Sequence, residues 1–313
     1  MVDVAVIIVS FNVRADLRRC LDSLRMWPSK ASIDIWVVDN ASADGSAEMV
    51  RTDYPDVNLI ANDYNAGFSR ANNQAIRESD SRYVFLINSD AKVHAGTVDK
   101  LFDYAEANSR AAIIGPKVLN PDGTLQFSCR RFPSLGAGFF RNTWLGRLFP
   151  NNKYAADYLM ANVNHNETRT VDWLSGCAMF IPRRVIGWIG GLDERFFMYC
   201  EDVDICKRAW DAGLQVMYMP DAVVTHAIGR SSDHVAERMI VEFHRSWYEY
   251  DLKHRPRGGP LRRMAVYSGL WLRAAMRILR RRLAERHKAR LTAAASPKAT
   301  APAAIDHGDR TAP

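Results

Sequence analysis

The sequence predicts an α/β protein with a mostly parallel central sheet flanked by helices. Short β-rich apolar runs alternate with amphipathic helical patterns through the first 115 or so residues. That alternation is the signature of βαβ crossovers, which force neighbouring strands to run parallel. Four of the predicted strands are also followed at once by small polar or acidic residues. In such sheets ligands bind beyond the carboxyl ends of the strands.

The elements follow in order. Residues 4–9 form an unbroken apolar run and read as a strand buried on both faces. A helix over 14–26 places Leu17, Leu21 and Leu24 on one side. Residues 33–38 are a second strand. A short helix over 44–51 follows, with Ser42 and Asp44 as caps. Strand 57–61, helix 69–78, strand 83–87, helix 97–108 and the apolar run 111–114 complete this half. From 132 to 170 the pattern gives way to aromatics, Gly, Asn and Pro, which reads as a functional loop. Regular structure resumes over 171–181, with a helix at 201–212, a strand at 215–219 and a helix at 233–253. Pro256 and Gly258-Gly259-Pro260 break that helix. A basic amphipathic helix over 261–291 and an Ala/Pro/Thr-rich tail over 292–313, expected to be disordered, end the chain.

The 313 residues are 48% apolar and 25% charged, a balance that excludes a wholly disordered chain and supports a large core. No apolar run approaches the length of a spanning helix, and residues 4–9 are too short and lack the basic flank of a signal peptide. A cytosolic chain is expected. Five scattered cysteines without a CxxC pair suggest free thiols in a reducing compartment. The sequons at Asn40 and Asn166 are therefore discounted. The net charge of +7 is unevenly spread: residues 255–290 hold twelve bases and one acid, Glu285, leaving the rest at −4. A mildly acidic body with a basic arm suggests chemistry in one and docking on an anionic surface through the other.

The four clusters after the strands are Ser10-Phe11-Asn12, Asp39-Asn40-Ala41-Ser42, Asn65-Ala66-Gly67-Phe68 and Asn88-Ser89-Asp90. Together they line carboxylates and amides along one sheet edge, although a lone Asp39 would pass for a helix cap. Neither GxGxxG nor GxxxxGK[ST] occurs, so the usual dinucleotide and P-loop readings are unsupported, which leaves open a nucleotide held by carboxylates with a divalent cation screening its diphosphate. Asp90 suits a hard divalent ion, Mg²⁺ or Mn²⁺. Further on, Glu201, Asp202 and Asp204 crowd a helix start within an aromatic setting. Caps favoured by the helix dipole are one reading of these acids, and a desolvated general base is the other. His226 closes the run 222–225.

These segments resemble inverting family-2 glycosyltransferases of the GT-A fold, in particular their bacterial rhamnosyltransferase-like branch. The likeness is carried by VAVIIVSFN at 4–12, VVDNASADGS at 37–46, NAGFSRANNQAI at 65–76 and FLINSDAKV at 85–93. It continues through WLSGCAMFIPR at 173–183, GLDERFFMYCEDVDICKRAWDAG at 191–213 and VVTHAIGRS at 223–231. The resemblance implies that Ser10, Asn12 and Asp39 hold the nucleotide and that Asn65 and Gly67 line the donor pocket. Asn88-Ser89-Asp90 stands at the family's DxD position, with Asn88 in place of the first Asp and Asp90 as the metal carboxylate. His226 matches a further metal residue and Asp202 the general base. Glu201, Trp173 and Gly176 then lie near the acceptor.

The implied domain spans 1–254, with a donor half to about 115 and an acceptor half beyond it. The implied reaction moves L-rhamnose from dTDP-L-rhamnose to a lipid-linked or polysaccharide acceptor of the cell envelope. UDP-hexose and UDP-galactofuranose are the alternative donors. A non-catalytic nucleotide-sugar or nucleic-acid binding protein is the reading of another class, but no nucleic-acid module and no basic stripe over the body supports it. On the arm, Leu261, Val266, Leu270, Trp271, Ala274, Ile278 and Leu279 form an apolar side among arginines. That pattern suits a helix lying at the inner face of the cell membrane, with a helix packed on the body as the alternative.

Overall fold

A computed structural model describes residues 1–133, 153–227, 236–256 and 258–295. Its centre is strand β1 (Val2–Ser10), which pairs in parallel with β2 (Ile33–Asn40) on one side and β4 (Ser81–Asn88) on the other. Strand β3 (Asn58–Asn62) extends the parallel half beyond β2. Helices α1 (Arg14–Met26), α2 (Ser46–Asp53), α3 (Phe68–Glu78) and α4 (Thr97–Ala107) make the crossovers.

The apolar run of β1 is unbroken because both of its faces are covered. Val4, Val6 and Ile8 join Leu17, Leu21, Val50 and Leu101 in one core layer. Ile7 joins Ala71, Ala75 and Val84 in the other.

Beyond β4 the sheet departs from a simple parallel order. Strand β11 (Ala178–Pro182) is inserted antiparallel between β4 and β6 (Ala111–Leu119). Strand β12 (Gln215–His226) then runs parallel to β6, and the short β5 (Ala91–Val93) closes that edge antiparallel to β12. The sheet remains mostly parallel, with helices on both faces, as expected. Strands β6 and β12 are longer than their apolar runs suggested. β12 passes Pro220 through a register shift between Met219 and Val223, a bulge that lets it continue to His226.

Short pieces that carry little periodicity were not foreseen. They are β7 (Leu125–Gln126), β8 (Cys129–Arg130), β9 (Arg169–Thr170), helix α5 (Lys153–Tyr158) and helix α6 (Arg183–Ile189), while β10 (Trp173–Leu174) and β11 divide the regular stretch expected over 171–181. About half of the expected 132–170 loop, residues 134–152, lies outside the described residues. All five cysteines are buried free thiols.

Helix α7 (Glu201–Asp211) starts at the acidic cluster, and α8 (Ala236–His254) packs beside it. They are joined at Asp204, which is fully buried. Its carboxylate accepts from Arg208 Nε (2.8 Å) and His254 Nε2 (2.7 Å) and pairs with Lys253 Nζ (2.6 Å). Burial pushes the Asp204 pKa up, but His254, Arg208 and Lys253 outweigh it and hold the group below its ordinary value.

Helix α9 (Pro260–Ala295) lies along α8. Arg262 forks onto Asp251 and Arg282 onto Glu237, while Tyr267 meets Tyr248 edge-on. The helix thus continues through 292–295, part of the expected tail; residues 296–313 lie outside the described residues. Val266, Leu270, Trp271, Ala274 and Ile278, assigned above to a membrane-facing side, are half-buried or buried. They lie on the α8 side of the helix. A second apolar stripe, opposite to it, is exposed: Leu261, Met264, Leu272, Met276, Leu279 and Leu283. At about 100° per residue these six fall within one third of the helix circumference.

Two stability predictions arise here. Asp204→Ala leaves Lys253 and Arg208 facing a buried site without their anion and should cost about 3–5 kcal/mol in chemical denaturation. Because the folded pKa is depressed, Asp204 contributes fully above the ordinary aspartate value of about 3.9 and loses its contribution as pH falls through the depressed one. The difference between the two proteins should therefore narrow only in strong acid. Gly67, before α3, sits at φ +83° and ψ 174°, a region open essentially to glycine. A Cβ there would lie 2.6 Å from the Phe197 carbonyl oxygen. Gly67→Ala should cost about 2 kcal/mol or more, read as a Tm several degrees lower.

Candidate active site

The ends of β1 and β2 are aligned so that Ser10 stands beside Asp39, both buried. The loops that follow are laced together. Ser42 N–H donates to Asp39 Oδ2 (2.9 Å), Asn12 N–H to Ser42 Oγ (2.9 Å), and Ala43 N–H to Asn12 Oδ1 (2.7 Å). Ser10 Oγ and Asp39 Oδ1 are buried without a partner among the described residues. Each such atom costs about 1–3 kcal/mol.

From the neighbouring strand, Asn65 Oδ1 accepts from Gly67 N–H (3.0 Å), closing the tight turn into α3. Asn40 Nδ2 donates to the Gly67 carbonyl (3.2 Å), tying that turn to β2. The absence of a side chain at Gly67 lets Phe197 pack directly on the turn, with Phe68 N–H donating to the Phe197 carbonyl (2.7 Å).

The carboxyl ends of β4 and β12 bring Asn88, Asp90 and His226 together. His226 Nε2 lies 3.2 Å from Asp90 Oδ1 and 3.3 Å from Asn88 Nδ2. Among the described residues no group of three His, Cys, Asp or Glu side chains converges as a closed metal site. The pair nevertheless fits an open one. Adjacent ligands of an octahedral ion with bonds near 2.1 Å stand about 3.0 Å apart, close to the separation seen. Asp90 and His226 would hold a divalent cation and leave its remaining positions to phosphate oxygens.

The carboxylates of α7 approach from across the sheet. Asp202 Oδ2 accepts from Gly176 N–H (3.0 Å) and Oδ1 from Val203 N–H (2.8 Å). Burial raises the Asp202 pKa, against these two amides and the Arg130 charge. Glu201 is raised as well, by burial and then by the Asp202 charge, and its Oε2 is buried without a partner among the described residues. The two environments differ: Asp202 has two backbone amides and the Arg130 charge favouring its carboxylate, whereas burial and the Asp202 charge both favour the protonated form of Glu201. The residues just before them, Tyr199 and Cys200, have left-handed backbones (φ 71° and 68°). Asn12 and Ala41, at the ends of β1 and β2, do too (φ 54° and 61°). Strain of this kind gathers where function requires it.

One cavity of about 290 Å³ is lined by Asn65, Gly67, Asn88, Asp90, Gly176, Glu201, Asp202 and His226. Ser10, Asn12 and Asp39 sit together beyond its edge, next to Val9, Phe11 and Asn40, which line it. Trp173 stands behind. It is 4% exposed, donates to the Arg131 carbonyl (2.8 Å), and has the Arg130 guanidinium over its ring at 4.9 Å. Residues that sequence reasoning did not single out include Gln126, which accepts from His226, and Met239 of α8, which closes one wall. Neither lies in a recognisable motif. Asn40 could have been found, since it sits within the Asp39 cluster.

With this geometry in hand, the comparisons with known proteins are direct. The family model described as Glycosyl transferase family 2 matches residues 5–165. N-acetylglucosaminyl-diphospho-decaprenol L-rhamnosyltransferase of Mycobacterium tuberculosis is 32% identical over 299 residues, 88% of this chain and 95% of its own length. Rhamnosyltransferase WbbL of Escherichia coli is 26% identical over 162 residues, 49% of this chain and 58% of its own. Among solved structures, GalNAc-T7 with UDP, GalNAc and Mn²⁺ superposes with a TM-score of 0.54 at 15% identity, over 72% of this chain and 44% of that one. The mannosyltransferase PcManGT of Pyrobaculum calidifontis, with GDP-Man and Mn²⁺, gives 0.53 at 17% identity, over 88% of this chain and 77% of that one. The fold is therefore the GT-A fold, and the chain is a glycosyltransferase belonging to family 2.

Proposed function

We propose that this glycosyltransferase moves L-rhamnose from dTDP-L-rhamnose to a lipid-linked acceptor of the cell envelope, with inversion at the anomeric carbon. The observation that carries this reading is the shared cavity, with Asp202 on the Gly176 amide and the Asp90–His226 pair in its wall. The 32% identity to an L-rhamnosyltransferase acting on a decaprenol diphosphate supports the choice of donor and acceptor class.

Asp202 takes the proton of the acceptor hydroxyl as that oxygen attacks the anomeric carbon. General-base assistance of this kind is worth about 10²–10⁴-fold. The Gly176 and Val203 amides aim the carboxylate and keep it ionised. Neutral Glu201 can donate a hydrogen bond to a sugar oxygen while adding no second negative charge. Ser10, Asn12 and Asp39 hold the nucleoside, and the Asn65–Gly67 turn shapes the sugar pocket. A divalent cation, Mg²⁺ or Mn²⁺, held by Asp90 and His226 would stabilise the charge developing on the diphosphate. Displacement in one step needs no covalent intermediate.

The α9 stripe gives the arm its role. Among the described residues no helix is long and apolar enough to cross a membrane. Leu272, Met276, Leu279 and Leu283 are exposed on the side away from α8, next to the exposed Arg280 and Arg286. An apolar stripe flanked by arginines matches the interface of an anionic bilayer, each base adding about 1 kcal/mol near the surface. The enzyme would then work as a peripheral protein on the inner face of the cell membrane.

Asp202→Asn should lower transfer by about 10²–10⁴-fold, while the thermal shift given by dTDP-rhamnose with Mn²⁺ persists. At a hundred times its dissociation constant, that donor should stabilise by about 2.7 kcal/mol. In the wild type, kcat/KM should fall on acidification with an apparent pKa above the ordinary aspartate value of about 3.9, because protonation removes the base. Substantial residual transfer in Asp202→Asn rejects the base, and a shift with a UDP-sugar alone replaces the donor. For the arm, the full chain should float with phosphatidylglycerol vesicles, and Leu272→Glu combined with Leu279→Glu should abolish flotation. Equal flotation of both proteins, or none of the wild type, rejects the membrane role.

A further inference from the structure

We infer that Gln126 is a positioning residue that holds His226 as its Nδ1–H tautomer, so that the Nε2 lone pair is aimed at the cation site beside Asp90. The inference rests on the proposal that Asp90 and His226 take the cation.

The placement of Gln126 begins with a tight turn. Asn120 N–H donates to the Thr124 carbonyl (2.8 Å) and Gly123 N–H to the Asn120 carbonyl (2.9 Å), with Gly123 at φ +83°. This folds β7 back on β6, pairing Leu119 with Leu125 and Val118 with Gln126. Leu119 also pairs with Thr225 at the end of β12. The hairpin therefore delivers Gln126 to His226, one hundred positions further along the chain.

Three hydrogen bonds then decide where the imidazole hydrogen sits. The Gln126 amide nitrogen lies 3.1 Å from the backbone carbonyl of His226 and 2.9 Å from Asn120 Oδ1. A peptide carbonyl can only accept, so the amide must present its NH₂ to it. This fixes the amide orientation, which the heavy atoms of a glutamine do not reveal by themselves. Gln126 Oε1 is left 2.8 Å from His226 Nδ1. An amide oxygen also only accepts, so Nδ1 carries the hydrogen.

The other ring nitrogen, Nε2, then faces Asp90 Oδ1 at 3.2 Å and receives from Asn88 Nδ2 at 3.3 Å. A nitrogen lone pair and a carboxylate oxygen this close call for positive charge between them. Metal-bound histidines generally donate their other ring N–H to an oxygen in this way, which sets the tautomer and raises the basicity of the ligand. In free histidine the neutral ring favours hydrogen on Nε2, the form that would block coordination here. Asn88, at the position of the first acid of a DxD motif, supplies no charge. That leaves more of the binding to His226 and hence more to the residue that orients it.

Two measurements on the full chain test this. With ¹⁵N-histidine labelling, long-range ¹H–¹⁵N spectra of the neutral ring should show His226 Nε2 without hydrogen, its signals identified by their loss in His226→Ala. Gln126→Leu should move the hydrogen toward Nε2, whereas Gln126→Glu, which keeps an acceptor, should leave it on Nδ1. In parallel, Mn²⁺ binding in the presence of dTDP, followed by electron paramagnetic resonance, should weaken about 10–100-fold in Gln126→Leu. Gln126→Glu should retain most of the affinity. Hydrogen on Nε2 in the wild type overturns the inference, even if the leucine variant does not fold. Wild-type affinity in Gln126→Leu alongside weakened binding in His226→Ala overturns the role of Gln126 alone. Unchanged affinity in both variants overturns the cation site, and the inference with it.

Discussion

The site depends on one feature of the sheet, the antiparallel insertion of β11 beside β4. Because β11 runs against its neighbours, its first residues lie at the carboxyl ends of the parallel strands, where the ligand-facing side chains are. The Gly176 amide holds Asp202, and the carbonyl of the next residue, Cys177, accepts from Asn88 N–H at 2.9 Å. Two consecutive residues thus link the carboxylate of α7 to the polar end of β4. A parallel strand in that place would present its amino end at the opposite edge. The linkage is rigid because β11 is buried throughout, with Phe180 stacked on Tyr83 at 5.2 Å and tilted against Phe85 at 6.0 Å. Gly176 keeps it close: a Cβ there would already touch Asp202 Cβ at 3.4 Å.

The acidic end of α7 is costly to build. Glu201 is buried and Asp202 half-buried there, and two non-glycine residues before them are left-handed. Asp204, three residues beyond Glu201, offsets that cost through its own charge. Arg208 and Lys253 reach it, and Arg208 also caps the carbonyls of Ile189 and Gly191 at 2.6 and 2.7 Å. The three acids at one helix start therefore have different duties. The first has its proton favoured by burial and by the charge of the second, the second lines the cavity, and the third anchors the helix to α8.

The sheet edge was legible in the sequence because strand ends are punctuated by composition. Apolar runs stop at Ser10, Asp39 and Asn88, and those stops gather at one edge of the sheet, Asn88 in the cavity wall and Ser10 and Asp39 beside it. The direction of β11 was not legible, since a buried strand is equally apolar whichever way it runs. Gln126 was invisible for a different reason: it lies in a two-residue strand, and its partner is remote in sequence. The arm shows a third limit. Its apolar residues were counted as one face, but periodicity read against a single partner hides a second stripe about half a turn away. Trp173, placed near the acceptor by its motif, lies behind the cavity wall because the Arg131 carbonyl and the Arg130 guanidinium occupy its polar and aromatic surfaces.

Helix α8 connects the site to the arm. Met239 lines the cavity, the Arg238 guanidinium lies 4.7 Å from the Phe197 ring centre, and Phe243 meets Tyr199 edge-on at 5.4 Å. The same Phe243 ring has Arg277 of α9 within 5.9 Å of its centre. One helix, held at its far end by Asp204, thus contacts both the cavity wall and α9, the helix that carries the exposed stripe. Docking the stripe on a bilayer would bring the bilayer surface to the side of the molecule where α8 walls the cavity. If the stripe docks as proposed, α8 is the element that would join the bilayer side of the molecule to the wall of the cavity, so a change at either end has one packed helix through which to reach the other.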